Sequence, residues 1–171
     1  MITICRYGEI FLKGNNRSEF ERVLVRNIYL FMKKQGIVGT VHRLRNRILI
    51  DSDRRCDFLR FVFGIVSFSS SVRVDAALSV ISTAAISLLE NRSFTTFAVA
   101  GQRLTKDALF TSRDINMSVG DAICTKFGVR VNLGKPDICI GVEIIDKHAY
   151  VFIENISGPG GLPVGVSGRV A

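Results

Sequence analysis

Apolar and polar positions change period several times along this chain, and the changes outline its elements. Ile2–Arg6 alternates apolar and polar residues, the two-residue period of a short strand. From Ser18 to about Gln35, Phe20, Leu24, Ile28 and Phe31 fall on one helical stripe, with Arg22, Arg26, Tyr29 and Lys33 opposite. Ser18 and Glu21 have the spacing of a capping box, and Gly36 is placed to end the helix. Val38–Leu44 and Arg47–Asp51 read as strands joined at a tight Arg45-Asn46 turn, which gathers Arg43, Arg45 and Arg47 near its tip. A short helix from Ser52 or Asp53 to about Val62 and a strand over Gly64–Val74 complete a β-α-β-β-α-β order, the pattern of a ferredoxin-like fold. Its expected core is Phe20, Leu24, Phe31, Ile48, Leu59 and Val66.

Asp75 marks the expected change of domain. Beyond it come a helix over Ala77–Leu89, a strand over Thr95–Ala100, and a helix from Arg113 to about Phe127 capped by Thr111 or Ser112. Ile115, Val119, Ile123 and Phe127 mark the buried side of that helix. Strands over Pro136–Ile145 and His148–Ile156 flank an Asp146-Lys147 turn. The fold class is therefore α+β, with residues 1–75 ferredoxin-like and residues 76–157 a second α/β domain. From Gly158 onward, glycines and two prolines read as a linker over residues 158–171.

Composition narrows the function. The chain has 171 residues, 47% hydrophobic, enough for a sizeable core. No apolar run approaches the roughly 18–20 residues of a membrane span, and the N-terminus lacks a signal-peptide layout, so a cytoplasmic protein is expected. Cys5, Cys56, Cys124 and Cys139 are widely spaced, without C-x-x-C. With only His42 and His148 beside them, reduced and mostly buried thiols are expected and a metal site is not. Phosphate-loop motifs are absent, and Asp107, Asp114, Asp121 and Glu143 show no paired arrangement, so no catalytic residue is assigned.

Charge points to a polyanion. The net charge is +8, and residues 1–75 hold 14 Lys/Arg against 7 Asp/Glu, whereas residues 76–171 hold 9 against 8. The later half thus relies on placed groups. Arg103, Lys106 and Arg113 flank a strand-to-helix connection, where helix N–H groups and cations together suit a phosphate. Spacing alone fits that reading and three solvated loop charges equally. The stripe of Arg22, Arg26 and Lys33 fits a solvated helix face as well as a nucleic-acid footprint.

Residues 6–17, Arg6-Tyr7-Gly8-Glu9-Ile10-Phe11-Leu12-Lys13-Gly14 followed by Asn16-Arg17, with Phe20-Glu21, resemble the opening of tRNA 4-thiouridine synthetases, the tRNA sulfurtransferases linked to thiamine biosynthesis. Phe63-Gly64-Ile65-Val66-Ser67-Phe68-Ser69 is similar to the closing strand of that family's N-terminal domain. Phe97-Ala98-Val99, Arg103, Lys106, Ser112, Asn116, Gly120, Pro136-Asp137-Ile138, Val142-Glu143-Ile144 and Gly158-Pro159-Gly160-Gly161-Leu162-Pro163-Val164-Gly165 resemble its THUMP domain and the segment after it. The match runs in order from Arg6 to Gly168. Gln102, Phe110-Thr111, Ser70-Ser71 and Asn132 depart from the family pattern.

The resemblance implies an RNA-binding unit whose partners are tRNA, gripped at its acceptor stem and 3′ CCA end, and a PP-loop sulfurtransferase domain in cis or trans, with a homodimer expected. ATP would bind that PP-loop domain, and no cofactor is expected in this chain. The implied RNA-binding residues are Lys13, Arg17, Arg22, Arg26, Arg43, Arg45, Arg47, Arg103, Lys106, Arg113 and Lys135. A stand-alone adaptor delivering tRNA to another modification enzyme is the alternative. A small-anion regulatory domain is a third reading.

Overall fold

The computed structural model describes residues 1–8, 17–44, 46–105 and 110–165. The chain divides into two compact units, Met1–Ser70 with the segment from Asn155, and Ser71–Glu154. The division thus falls inside a strand that itself runs to Asp75, and the later segment returns to the first unit.

In the first unit, β1 (Ile2–Tyr7), α1 (Arg17–Lys34), β2 (Gly39–Leu44), β3 (Arg47–Ser52) and the first part of β4 (Ile65–Asp75) follow the expected ferredoxin-like order. The strands lie in the order β2-β3-β1-β4. Antiparallel register sets Cys5 beside Ile48 and Leu44 beside Arg47. Asn46, with φ 62, makes the hairpin turn in the left-handed region that asparagine tolerates. Helix α1 buries Leu24, Ile28 and Met32 against Cys5, Ile48, Ile50, Phe58 and Leu59, with Phe20 and Phe31 half-buried. Phe31 stacks on Phe58 with ring centroids 5.9 Å apart. Two expectations change. The second helix is a 3-10 turn over Asp57–Phe61, because Ser52 Oγ donates to Arg54 O and Asp53 Oδ1 accepts from Val38 N–H, which ties the preceding residues to β2 and β3. Val66 is exposed, and Ile65 and Phe68 take its place in the core.

The glycine-rich segment also departs from a plain connector. Its β9 (Ile156–Ser157) pairs antiparallel with β4. Gly158 and Gly160 N–H groups then donate to Val66 O and Ile65 O, and Gly64 N–H donates to Gly160 O. A Cβ on Gly158 would lie 2.3 Å from Ile65 O, so glycine there is a requirement of close approach. Pro163 is buried and Val164 O accepts from Asn27 Nδ2, which carries the contact as far as α1.

In the second unit, α2 (Leu78–Leu89), β5 (Thr96–Arg103), α3 (Ser112–Phe127), β6 (Arg130–Val131), β7 (Ile138–Ile145) and β8 (His148–Phe152) join the later part of β4. The strand order is β4-β8-β7-β5-β6. β5 runs parallel to β6 and β7, and β8 pairs antiparallel with β7 and β4. Ile81 and Leu89 from α2, and Ile115, Val119 and Ile123 from α3, share one core with Phe97, Ile140, Val142 and Val151. β5 extends three residues past its expected end, to Arg103, and this extension positions the candidate site.

Candidate nucleic-acid interface

The end of β5 and the start of α3 meet because of one small residue. A Cβ on Gly101 would lie 2.8 Å from Asn116 Oδ1 and 2.9 Å from Ile115 Cγ2. Without it, the Gly101 N–H donates to Asn116 Oδ1 at 2.7 Å, pinning the helix to the strand. Neither Gly101 nor Asn116 stood out as a positioning residue in the sequence, although a glycine inside a strand pattern is the signal for such an approach. Arg103 and Arg113 are both exposed, and both lie close enough to Asp114 to favour its ionised form. Hydrogen bonds from the Thr111 N–H and hydroxyl hold the Asp114 carboxyl below the usual carboxylate range, with Arg113 and Arg103 adding to them. Among the described residues neither arginine's side chain forms a hydrogen bond or ion pair.

The helix end is less open than the sequence implied. Thr111 and Asp114 form a reciprocal capping box, in which Thr111 Oγ1 accepts the Asp114 N–H and the Asp114 carboxylate accepts from Thr111. One orphan N–H is thereby satisfied, and a negative charge sits at the positive end of α3. An anion would therefore be attracted chiefly by the two guanidinium groups.

Lys135 does not join them. Phe97 pairs with Ile138 and Val131, and Asn132 N–H donates to Phe97 O. The loop that carries Lys135 thus lies at the opening of β5, while Arg103 is six residues further along, about 20 Å at strand rise. Lys106 lies outside the described residues, as do Lys13 and Arg45.

The basic residues of the first unit separate into two kinds. Arg17 is committed internally: its Nε donates to Glu21 Oε1 at 2.8 Å and its NH2 to Asn46 Oδ1 at 2.7 Å. Tyr7 OH donates to the same Glu21 oxygen at 2.6 Å, and Arg43 NH1 lies 3.9 Å from Glu21 Oε2. Burial, followed by the bond to Glu21, pushes the Tyr7 hydroxyl up to about 12. Arg47, expected near the hairpin tip, lies there opposite Leu44 but is 8% exposed and donates to Asn46 O. Arg22 and Arg26 are exposed on α1. The motif positions Arg6, Tyr7, Arg17 and Glu21 are thus bound up in the unit itself, Arg6 reaching Ser69 Oγ and Asn155 Oδ1.

Asp137 of the Pro136-Asp137-Ile138 motif is a second internal lock. Its carboxylate accepts the N–H groups of Thr95 and Thr96 and the Thr95 hydroxyl, which tie β7 to the opening of β5. These bonds, the Thr95 N–H foremost, hold its carboxyl down to about 2. A group depressed in the folded state stabilises above its ordinary range and loses that contribution as pH falls through the folded value. Asp137→Ala therefore lowers the melting temperature of the second unit at neutral pH. In thermal melts at stepped pH, the variant also loses part of the wild-type fall in stability between about pH 4 and pH 2. Parallel curves across that interval would rule the lock out.

Cys5 and Cys56 are buried, Cys124 is half-buried and Cys139 is exposed; all four are free thiols. Burial raises the thiols of Cys5, Cys56 and Cys139 above the ordinary range. His42 and His148 are exposed. Among the described residues no group of three or more His, Cys, Asp or Glu is placed to hold a metal, and no helix is long and apolar enough to cross a membrane.

Comparison with known proteins places these features in a family context. The model of the ThiI ferredoxin-like domain matches residues 2–69, and that of the THUMP domain matches residues 75–154. A probable tRNA sulfurtransferase of Moorella thermoacetica is 39% identical over 175 residues, which cover 97% of this chain and 44% of that protein. One from Metamycoplasma arthritidis is 37% identical over 168 residues, covering 98% and 43%. A crystal structure from Pyrococcus horikoshii Ot3 has TM-score 0.90 at 32% identity, covering 96% of this chain and 57% of that one. A 4-thiouridine synthetase–RNA complex with bound ATP has TM-score 0.75 at 32% identity, covering 96% and 43%. The chain spans somewhat under half the length of the curated relatives it matches.

Proposed function

Because the chain belongs to the family that joins a ThiI ferredoxin-like domain to a THUMP domain, we propose that it is the tRNA-binding portion of a tRNA 4-thiouridine synthetase. It grips the acceptor stem and 3′ CCA end so that a PP-loop domain, in cis or trans, can adenylate and thiolate a uridine. ATP belongs to that domain, and the compartment is the cytoplasm. In a homodimer, one subunit's grip would present tRNA to the other's catalytic domain. The observation that carries the reading is that Arg103 at the end of β5 and Arg113 at the start of α3 are both exposed and both near Asp114, on two elements pinned together by the Gly101–Asn116 contact. Phosphate contacts account for affinity, and groups around them for the choice of RNA end.

Titration of labelled tRNA at stepped salt tests it. With three or four phosphates neutralised, affinity falls roughly 40- to 150-fold between about 50 and 200 mM salt. A tRNA lacking its 3′ CCA binds more weakly than the intact molecule. Affinity indifferent to salt, or equal for both RNAs, would sink the reading.

A further inference from the structure

Two cations suffice to hold phosphate, yet a carboxylate stands with them where β5 meets α3. Gly101 and Arg103 share one face of the strand, and Arg113 and Asn116 share one side of the helix. The Gly101–Asn116 bond joins those two surfaces, and Asp114 lies within electrostatic reach of both arginines. Its carboxylate is engaged at one oxygen only. Oδ2 accepts the Thr111 N–H at 2.7 Å and the Thr111 hydroxyl at 2.8 Å. Oδ1 has no hydrogen-bond partner among the described residues, and neither arginine side chain pairs with it. Asp114 is exposed, so Oδ1 is open to a ligand while Thr111 holds the carboxylate in one orientation. The junction thus presents two guanidinium donors and one fixed anionic acceptor.

Backbone phosphates satisfy the two donors. They repel Oδ1, so a bound polyanion must bring a hydrogen-bond donor to it or lose affinity there. The donor that accompanies each phosphate along an RNA strand is the ribose 2′-hydroxyl, the group that separates RNA from DNA. We propose that Asp114 Oδ1 accepts a ribose 2′-hydroxyl while Arg103 and Arg113 hold phosphates, so that this carboxylate makes the junction selective for RNA. The proposal rests on the RNA-binding reading and adds to it a residue that determines specificity.

A synthetic acceptor-stem hairpin with a 3′ CCA overhang is titrated as RNA, and with its 5′ strand, its 3′ strand or both made 2′-deoxy. Wild type binds the RNA about tenfold or more tightly than a hairpin lacking the contacted hydroxyl, the effect of one charge-assisted bond. In Asp114→Ala that preference shrinks about fivefold or more. Affinity for the RNA drops, whereas affinity for the deoxy hairpin holds or rises, because a charge that repels phosphate is gone. Asp114→Asn keeps a neutral acceptor for Thr111 and for the hydroxyl, falls between the two, and gives a second measurement should the alanine variant fold poorly. An equal fall for every hairpin, as from a lost helix cap or a lost base amino contact, leaves the ratio unmoved and overturns the proposal. An equal rise for all of them does so too, since Asp114 would then only repel. The tRNA titration reports separately on the RNA-binding reading: an unmoved ratio with tRNA binding intact removes the 2′-hydroxyl contact alone, and a chain that binds neither tRNA nor hairpin overturns both.

Discussion

Replacing both Arg103 and Arg113 by alanine lowers tRNA affinity by roughly 30- to 1,000-fold at low salt, about 2–4 kcal/mol for two charge-assisted contacts discounted for exposure. The slope of affinity against salt flattens by about 1.8, since each lost phosphate contact removes about 0.9. The fold is spared, because both side chains are exposed and no described residue relies on them for a hydrogen bond. Arg103→Lys keeps the charge and loses the planar fork, so it falls between wild type and alanine. Asp114 gives the experiment an internal control: Thr111 already holds its carboxylate, so removing the arginines leaves it capped and α3 intact. Filter binding at three salt concentrations measures both quantities. Unchanged affinity with an unchanged slope would remove this pair from the RNA footprint and leave Arg22, Arg26, Arg43 and Lys135 as the remaining exposed candidates that the structure describes.

The second large effect is on stability. Glu21→Ala withdraws the acceptor shared by Tyr7 and Arg17 and leaves Arg43 without its partner. The Glu21 side chain is only 13% exposed, so water substitutes poorly for the lost bonds. Removing the carboxylate from a buried hydroxyl and from a half-buried guanidinium that keeps its bond to Asn46 costs roughly 2–4 kcal/mol. Calorimetry resolves this as a lower melting transition for the first unit, with the second unit's transition unmoved. Glu21→Gln keeps a carbonyl acceptor for Tyr7 and loses less. A variant that melts with wild type would show that the Tyr7–Glu21–Arg17 cluster contributes no stability.

Much of this fold was legible in the sequence because the relevant forces are local. The apolar stripe of α1, the Thr111 cap of α3 and the Asn46 turn each depend on residues within a few positions of one another. The burial of Arg47 was not legible for the opposite reason: its neighbours in sequence place it near the hairpin tip but say nothing about which side of β3 is covered. The resemblance implied Lys135 along with Arg103, and the parallel register of β5 and β7 sets them at opposite ends of β5. The short helix after β3 failed because side-chain bonds at Ser52 and Asp53, one of them to Val38, outweigh a weak helical pattern.

By itself the sequence determined the order of the elements apart from β6, β9 and the 3-10 turn, the basic character of the first half and the family resemblance, all carried by local propensity, net charge and motif. Only the tertiary structure decided which cations remain exposed, which are tied into Glu21, and that the glycine-rich segment packs on β4. The physical reason is range. A glycine signals freedom to turn when its sequence is read alone. Whether that freedom makes a connector or admits Ile65 O within 2.3 Å of a would-be Cβ depends on a strand some ninety residues away.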